Sequence, residues 1–144
     1  MNCAFCGRQE IQKRVIVENN LAFAFPTNIP IVPGHILVCP KRHIQLYGNV
    51  SHEEREAIEE LRINIITALR KVFGAEGFNF AWNEGEVGGQ SVPHLHLHIV
   101  PRTKGDAGIY RYEPREFLYR PGIRAQRPKK ELEDIAQSIQ RALM

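Results

Sequence analysis

Three histidines, His94, His96 and His98, alternate with leucines in the second half of this 144-residue chain. Alternate residues of a β-strand lie on one face, so a strand over Val92–Val100 would present the three imidazoles together and bury the leucines. Imidazole can bind a catalytic metal ion, or it can act as a nucleophile that carries a nucleotidyl group. Same-face neighbours lie about 6.6 Å apart along a strand, so convergence of all three on one ion is difficult. The pattern favours a nucleophile and leaves a metal-dependent hydrolase as an alternative.

The residues directly before the histidines form a glycine-rich segment. Residues 83–91 read Asn-Glu-Gly-Glu-Val-Gly-Gly-Gln-Ser. Glycine allows backbone N–H groups to approach a phosphate closely. Many glycine-rich loops are simple turns, but the position of this one beside the histidines favours a phosphate-binding loop.

Two of the three cysteines have the spacing Cys3-x-x-Cys6, which supplies half of a tetrahedral zinc site. A chance pair or a redox motif is the alternative, although a redox motif normally opens a helix in a βαβ context that this sequence lacks. His43, His52 and the three alternating histidines are the candidates for the remaining ligands. Cys39 lies in an apolar run and is predicted to be a small buried hydrophobic residue.

One long helix is predicted in the middle of the chain. Ser51 and Glu54 match a capping box at its start, and Gly74 and Gly77 provide the stop. Apolar residues at helical spacing predict one face packed on a sheet. This stripe comprises Ile58, Leu61, Ile65, Leu69 and Val72.

The rest of the chain predicts strands on both sides of that helix, followed by a short terminal helix. Turns too short for repeated parallel crossovers favour an α+β fold with an antiparallel sheet. The predicted strands are Arg14–Glu18 and Leu21–Phe25, joined by a turn at Asn19-Asn20, then Ile36–Val38, Phe78–Asn83 and Val92–Val100. The terminal helix carries Leu132, Ile135, Ile139 and Leu143.

These motifs together resemble the histidine-triad (HIT) family. Residues 94–100 fit its pattern of three histidines separated by apolar residues, and residues 83–92 and Pro33-Gly34-His35 are similar to the same family. The resemblance covers about residues 3–102. It implies an α+β domain with a mostly antiparallel five-stranded sheet, one long helix, a short carboxyl-terminal helix and a two-fold dimer. We expect a single domain over residues 1–144, with a basic extension over 103–144.

The resemblance also implies roles for individual residues. His96 corresponds to the nucleophile that forms a nucleotidyl-imidazole intermediate, His98 to the histidine at the phosphate ester, and His35 to a supporting histidine. Many relatives carry Asp or Asn at the ribose-binding position held here by Thr27, next to Asn28. The other implied residues are Gln90 and Ser91 in catalysis, Asn83 and Gly89 at ribose and phosphate, and Phe5 and Phe25 beside the base.

A structural zinc ion is a further implication. In many bacterial relatives, and in galactose-1-phosphate uridylyltransferases, a Cys-x-x-Cys joins two histidines around zinc. The matching positions here are Cys3, Cys6, His43 and His94. His94 shares a strand face with His96 in an ideal strand, so its ring has to turn away, and a bend at Pro93 would permit this. We expect one zinc ion per chain.

The resemblance implies cleavage of dinucleoside polyphosphates to a nucleoside monophosphate, with an adenine nucleotide as the expected partner. Phosphoramidate hydrolysis and phosphorolysis are the alternatives, and a non-catalytic nucleotide- or RNA-binding module is the alternative from another class. The net charge of +3 is mild for a nucleic-acid binder, so nucleic acid is not expected. The sequence has no apolar run of about 20 residues and no signal-peptide pattern, so we expect no membrane span and a cytoplasmic protein. The homodimer is expected from the resemblance alone.

Overall fold

The computed structural model describes residues 3–106 and 128–143. The chain divides into two compact units, Met1–Gly108 and Ile109–Met144. Most of the predicted basic extension lies outside the described residues, and the prediction of a single domain stays a prediction. The second unit contains α3, Lys129–Leu143, at the position predicted for the terminal helix.

The first unit contains a five-stranded sheet. Its strands lie in the order β1-β2-β3-β5-β4, and every pair is antiparallel, as predicted. The strands are β1 (Val17–Glu18), β2 (Ala22–Pro26), β3 (Ile36–Pro40), β4 (Gly77–Trp82) and β5 (Leu97–Arg102).

The long helix α2, His52–Phe73, covers one face of this sheet. Ser51 accepts a hydrogen bond from the Glu54 amide while the Glu54 carboxylate accepts from the Ser51 amide, so the predicted capping box is confirmed. Gly74 ends the helix at φ 64°. The prediction for Val72 is wrong, because this side chain is 71% exposed. Its helical spacing places it on the same face as Leu69, but it lies in the last turn of the helix, after the last buried residue of the stripe.

The opposite face of the sheet packs against the amino-terminal residues. Phe23, Phe25, Leu37 and Cys39 point to this side and form a second apolar cluster with Phe5. Phe5 belongs to a one-turn helix, α1 (Ala4–Gly7), that the sequence did not predict. Successive side chains of β2 and β3 thus point alternately towards α2 and towards the amino-terminal residues.

The histidine-bearing strand begins later than predicted. The expected strand was Val92–Val100, but β5 starts at Leu97, so two of the three histidines precede it. Pro93 has no N–H, the His94 amide bonds back to the Val92 carbonyl, and the Leu95 amide bonds to the Ile44 carbonyl instead of a neighbouring strand. The chain therefore bends immediately before the catalytic candidates.

The first turn of the sheet also differs from the prediction. Glu18 pairs with Phe23, so the turn spans Asn19–Ala22 and not Asn19-Asn20 alone. The Asn19 side-chain oxygen accepts hydrogen bonds from the Leu21 and Ala22 amides. Asparagine commonly closes a turn in this way.

No helix in residues 3–106 or 128–143 is long and apolar enough to cross a membrane.

Candidate active site and metal centre

A cleft of about 620 Å³ opens on the amino-terminal side of the sheet. Its residues come from the amino-terminal segment, from β2 and the loop after it, and from the histidine-bearing segment. Of the predicted catalytic and nucleotide-binding residues, it brings together Phe5, Phe25, Thr27, Asn28, His35, Ser91, His96 and His98. Of the predicted metal ligands, Cys3 also lines it.

His96 is buried at the base of this cleft, 3% exposed, and its ring is fixed by one hydrogen bond. Its Nδ1 lies 2.8 Å from the His94 carbonyl oxygen, which can only accept, so Nδ1 carries the proton. In the neutral ring, Nε2 then keeps a free lone pair. Burial lowers the pKa of His96 below its ordinary value. A neutral imidazole with a free ring nitrogen has the chemistry that a nucleophile requires.

His35 and His98 form a second imidazole pair at the same cleft. The Ile31 amide donates to His35 Nδ1 at 3.1 Å, so His35 carries its proton on Nε2. That nitrogen lies 3.0 Å from His98 Nδ1 and donates to it, which leaves the His98 proton on Nε2. Burial, helped by the neighbouring His96 and His35, lowers the pKa of His98 to about 4. His98 is therefore a neutral hydrogen-bond donor near pH 7.

Gly34 explains how His35 reaches this position. Gly34 has φ 92°, and a Cβ at this residue would lie 3.1 Å from the ring of Phe73 and from Pro101. Both the backbone conformation and the close approach favour glycine. The turn that delivers His35 to β3 therefore depends on this residue.

Four side chains at the other end of the histidine segment form a cluster that could hold a metal ion: Cys3, Cys6, His43 and His94. Their donor atoms all lie within 4.8 Å of one another. The His94 Nδ1 is 3.4 Å from both sulfurs, and the His43 Nδ1 is 3.3 Å from Cys6 Sγ. Zinc bond lengths of about 2.3 Å to sulfur and 2.0–2.1 Å to nitrogen give tetrahedral N···S edges of about 3.6 Å. The cluster therefore has nearly the size that a zinc ion needs.

Contacts behind the cluster orient its histidines. His94 is fully buried, and its Nε2 lies 2.8 Å from the Pro40 carbonyl oxygen, so it donates there and turns an unprotonated Nδ1 to the cysteines. Hydrogen bonds of this kind fix the tautomer of metal-binding histidines. Next to His43, Arg42 donates to both oxygens of the buried Glu54 carboxylate at 3.1 and 2.7 Å. This ion pair ties the loop that carries His43 to the start of α2.

The predicted roles of the glycine-rich loop in phosphate binding and catalysis stay predictions. Gln90 is buried, accepts from the Gly85 amide at 2.8 Å and donates to the Gln45 carbonyl at 3.1 Å. Asn83 donates to the Gly89 carbonyl at 3.3 Å. Neither side chain lines the cleft, nor does Gly89, whereas Ser91 does. In the described structure, Asn83 and Gln90 make hydrogen bonds within the loop, and Gln90 also attaches the loop to Gln45.

Comparison with known proteins agrees with this geometry. Residues 8–105 match the family of the HIT domain. The chain belongs to the HIT family. Bis(5'-adenosyl)-triphosphatase of Dictyostelium discoideum is 35% identical over 95 residues, covering 66% of this chain and 64% of that protein.

Two solved structures of HIT proteins are also similar. A HIT family protein from Bacillus subtilis has a TM-score of 0.74 and 29% identity, and the match covers 98% of this chain and 96% of that one. A zinc-bound histidine triad family protein from Mycobacterium smegmatis has a TM-score of 0.68 and 32% identity, with 79% and 84% covered. The predicted family and the predicted α+β fold are confirmed.

Two cationic residues of the HIT cleft were missed by the sequence analysis. Arg14 lines the cleft, donates to the Pro26 carbonyl at 2.9 Å and lies over the Phe25 ring. Arg8 also lines it and stacks on Phe23, 4.3 Å from the ring centre. The pairing of β1 with β2 could have identified Arg14. Val17 pairs with Ala24, and the same register extended by three residues sets Arg14 opposite Thr27. Nothing in the sequence indicates the position of Arg8.

Proposed function

We propose that this HIT protein hydrolyses dinucleoside polyphosphates at an α-phosphate and releases a nucleoside monophosphate. The observation that carries the proposal is the His96 ring, whose Nδ1–H is held by the His94 carbonyl and whose Nε2 is therefore free in the cleft. The similarity to bis(5'-adenosyl)-triphosphatase supports this substrate class. Binding alone would not require a nucleophile prepared in this way.

In the first step, the Nε2 lone pair of His96 attacks the α-phosphorus. A P–N bond forms while the bond from phosphorus to the bridging oxygen breaks, and the remaining phosphate chain leaves as an anion. The Nε2–H of His98 donates a hydrogen bond to this departing oxygen, so no proton transfer is needed at that point. The His94 carbonyl stabilises the positive charge that develops on the His96 ring.

In the second step, a water oxygen attacks the same phosphorus. The P–N bond breaks, its electron pair returns to Nε2, and the proton lost by water passes to solvent. The products are a nucleoside monophosphate and the shortened nucleotide, and His96 is restored. Phe5 and Phe25 contact the base, and Thr27 and Asn28 lie within reach of the ribose.

The proposed metal is one structural zinc ion per chain. The four ligands Cys3, Cys6, His43 and His94 are all used, so no coordination position is left for a reacting water. The zinc would stabilise the fold near the amino terminus and supply no chemistry to the reaction.

The proposed assembly is a homodimer. β4 lies at an edge of the sheet, and its Phe80 side chain is 45% exposed. An exposed edge with apolar side chains is a surface on which another strand can pair. A second copy of the chain would cover this edge.

Product analysis tests the proposed reaction. The wild type, His96→Ala and the control His52→Ala are incubated with diadenosine polyphosphates or adenosine phosphoramidate, with and without inorganic phosphate. We expect AMP release by the wild type and by the control, whose His52 side chain is 78% exposed. In His96→Ala, kcat should fall at least about a thousandfold while AMP affinity is retained.

Other outcomes of this experiment contradict particular parts of the proposal. Preference for the phosphoramidate would assign the protein to that substrate class, and release of ADP only with phosphate would indicate phosphorolysis. Turnover retained by His96→Ala would exclude His96 as the nucleophile. Nucleotide binding without turnover of any substrate would support a binding module.

A further inference from the structure

The wall of the cleft formed by residues 3–14, here called the N-terminal segment, supplies nearly half of the residues that line it. This segment contains only one turn of α-helix, α1, and one 3₁₀ turn, Gln12–Arg14. A single helical turn is not stable by itself in water. The position of this wall therefore depends on how the segment is attached to the sheet.

Side chains, and not the backbone, make that attachment. Within residues 3–106, the backbone hydrogen bonds of the N-terminal segment have both partners at Val15 or before it. The first backbone hydrogen bond that reaches a strand runs from the Ile16 amide to the Ala24 carbonyl. The polar side-chain links are the ion pair of Arg8 with Glu18, the bond from Arg14 to the Pro26 carbonyl, and the Cys/His cluster. Among these polar links, the cluster is the one that holds the beginning of the segment, where Phe5 also packs against Phe25.

Phe5 connects that cluster to the cleft. It stands between Cys3 and Cys6 in the chain, so the two proposed metal ligands fix its backbone on both sides. Its buried ring meets His96 edge to face at 5.3 Å and an angle of 89°, and meets Phe25 at 5.3 Å. The same ring contacts His94 at 5.8 Å. One aromatic side chain thus touches a metal ligand, the proposed nucleophile and the proposed base site.

From this arrangement we infer that Phe5 couples metal binding to nucleotide binding. With the four ligands joined, α1 is fixed and Phe5 closes the nucleotide side of His96. With them separated, α1 loses its attachment at Cys3 and Cys6, and nucleotide binding has to order it again. The inference rests on the proposed nucleotide site. Coupling between two sites is reciprocal, so nucleotide must strengthen metal binding by the same factor by which metal strengthens nucleotide binding.

Two measurements on the full-length protein test the coupling. The first is the AMP dissociation constant of zinc-loaded and chelator-treated protein, by calorimetry, with circular dichroism to check the fold. The second is the rate at which zinc passes from loaded protein to an excess of chromophoric chelator, with and without saturating AMP. We expect AMP to bind about tenfold or more tightly to the loaded protein, and we expect saturating AMP to slow zinc release.

The variant Phe5→Leu separates coupling from simple metal binding. It keeps both cysteines and an apolar side chain, so it should still bind one zinc per chain. AMP at a concentration that calorimetry shows to saturate the variant should no longer slow zinc release. Phe23→Leu is the matched control, because Phe23 is an aromatic residue of the same apolar cluster that does not line the cleft. This control should retain the effect of AMP on zinc release.

The outcomes distinguish this inference from the proposed function. AMP that binds the loaded protein but leaves zinc release unchanged would overturn the coupling and leave the nucleotide site intact. Equal loss of the AMP effect in Phe5→Leu and Phe23→Leu would overturn the role of Phe5. Loaded protein that binds no AMP at millimolar concentration would remove the nucleotide site itself, and the coupling with it. The release measurement uses loaded protein, so it gives an answer even if the metal-free chain unfolds.

Discussion

The two ends of the histidine segment use the same side chain for different purposes. At one end, His94 is fully buried, donates from Nε2 to the Pro40 carbonyl, and turns Nδ1 to the cysteines. At the other, His98 accepts at Nδ1 from His35 and holds its proton on Nε2 at the cleft. The hydrogen-bond partner of one ring nitrogen therefore decides what the other nitrogen can do. His94 is prepared as a ligand, and His98 as a donor.

The largest effect that we expect comes from removing one ligand of the Cys/His cluster at the His94 end of the segment. Cys6→Ser should reduce the zinc content from one per chain to nearly none, because serine is not deprotonated to a ligand as a thiol is. Free zinc a thousandfold above its dissociation constant adds about 4 kcal/mol to the free energy of unfolding, so the melting temperature should fall substantially. Elemental analysis and thermal unfolding measure both.

Cys39→Ala is the matched control for that variant. Cys39 is a buried free thiol outside the cluster, so its removal should leave the zinc content unchanged. An unaltered zinc content and melting temperature in Cys6→Ser would contradict the metal assignment.

At the His98 end, lowering the pH should reduce the free energy of unfolding. An unfolded histidine takes up its proton near pH 6.5, whereas folded His98 does so at about 4. Between these values the unfolded chain binds the proton preferentially. The contribution of His98 to the free energy of unfolding is therefore complete above pH 6.5 and decreases as the pH falls, with a loss that approaches about 3 kcal/mol.

His98→Asn should remove this part of the pH dependence. Chemical denaturation of the wild type and the variant between pH 7.5 and 4.5, at steps of about one pH unit, measures it. Loss of zinc at low pH affects both proteins and cancels in their difference. His52→Asn, at an exposed histidine of α2, should follow the wild type. Parallel profiles for wild type and His98→Asn would contradict the buried, neutral state of His98.

The smallest effect concerns the ion pair of Arg42 with Glu54 beside the Cys/His cluster. Glu54→Gln keeps the shape of the side chain but takes the carboxylate from Arg42, which should cost about 1–2 kcal/mol of unfolding free energy. Zinc release should become faster by less than about tenfold, because Arg42 adjoins the ligand His43. Glu53→Gln, at the exposed neighbouring residue, should change neither quantity. An unchanged free energy of unfolding and an unchanged rate of zinc release in Glu54→Gln would contradict this role of the ion pair.

Local features were predictable because the residues that decide them are close in the sequence. The capping box of Ser51 and Glu54, the stripe as far as Leu69 and the stop at Gly74 each depend on contacts within a few residues. Val72 marks the limit of this reasoning, since its helical spacing is correct but the tertiary structure leaves its side chain exposed.

The sequence by itself determined the chemistry that this protein carries: the histidines, the cysteine pair, and the alternation that buries the intervening leucines. Only the tertiary structure decided which ring nitrogen faces which partner. His35 and His98 are 63 residues apart and meet because β3 pairs with β5, and His94 faces Cys3, 91 residues away, because the chain bends before β5. A hydrogen bond made within one turn can be read from neighbouring residues. A ring orientation set by packing across a sheet depends on strand order and burial, which no short stretch of sequence contains.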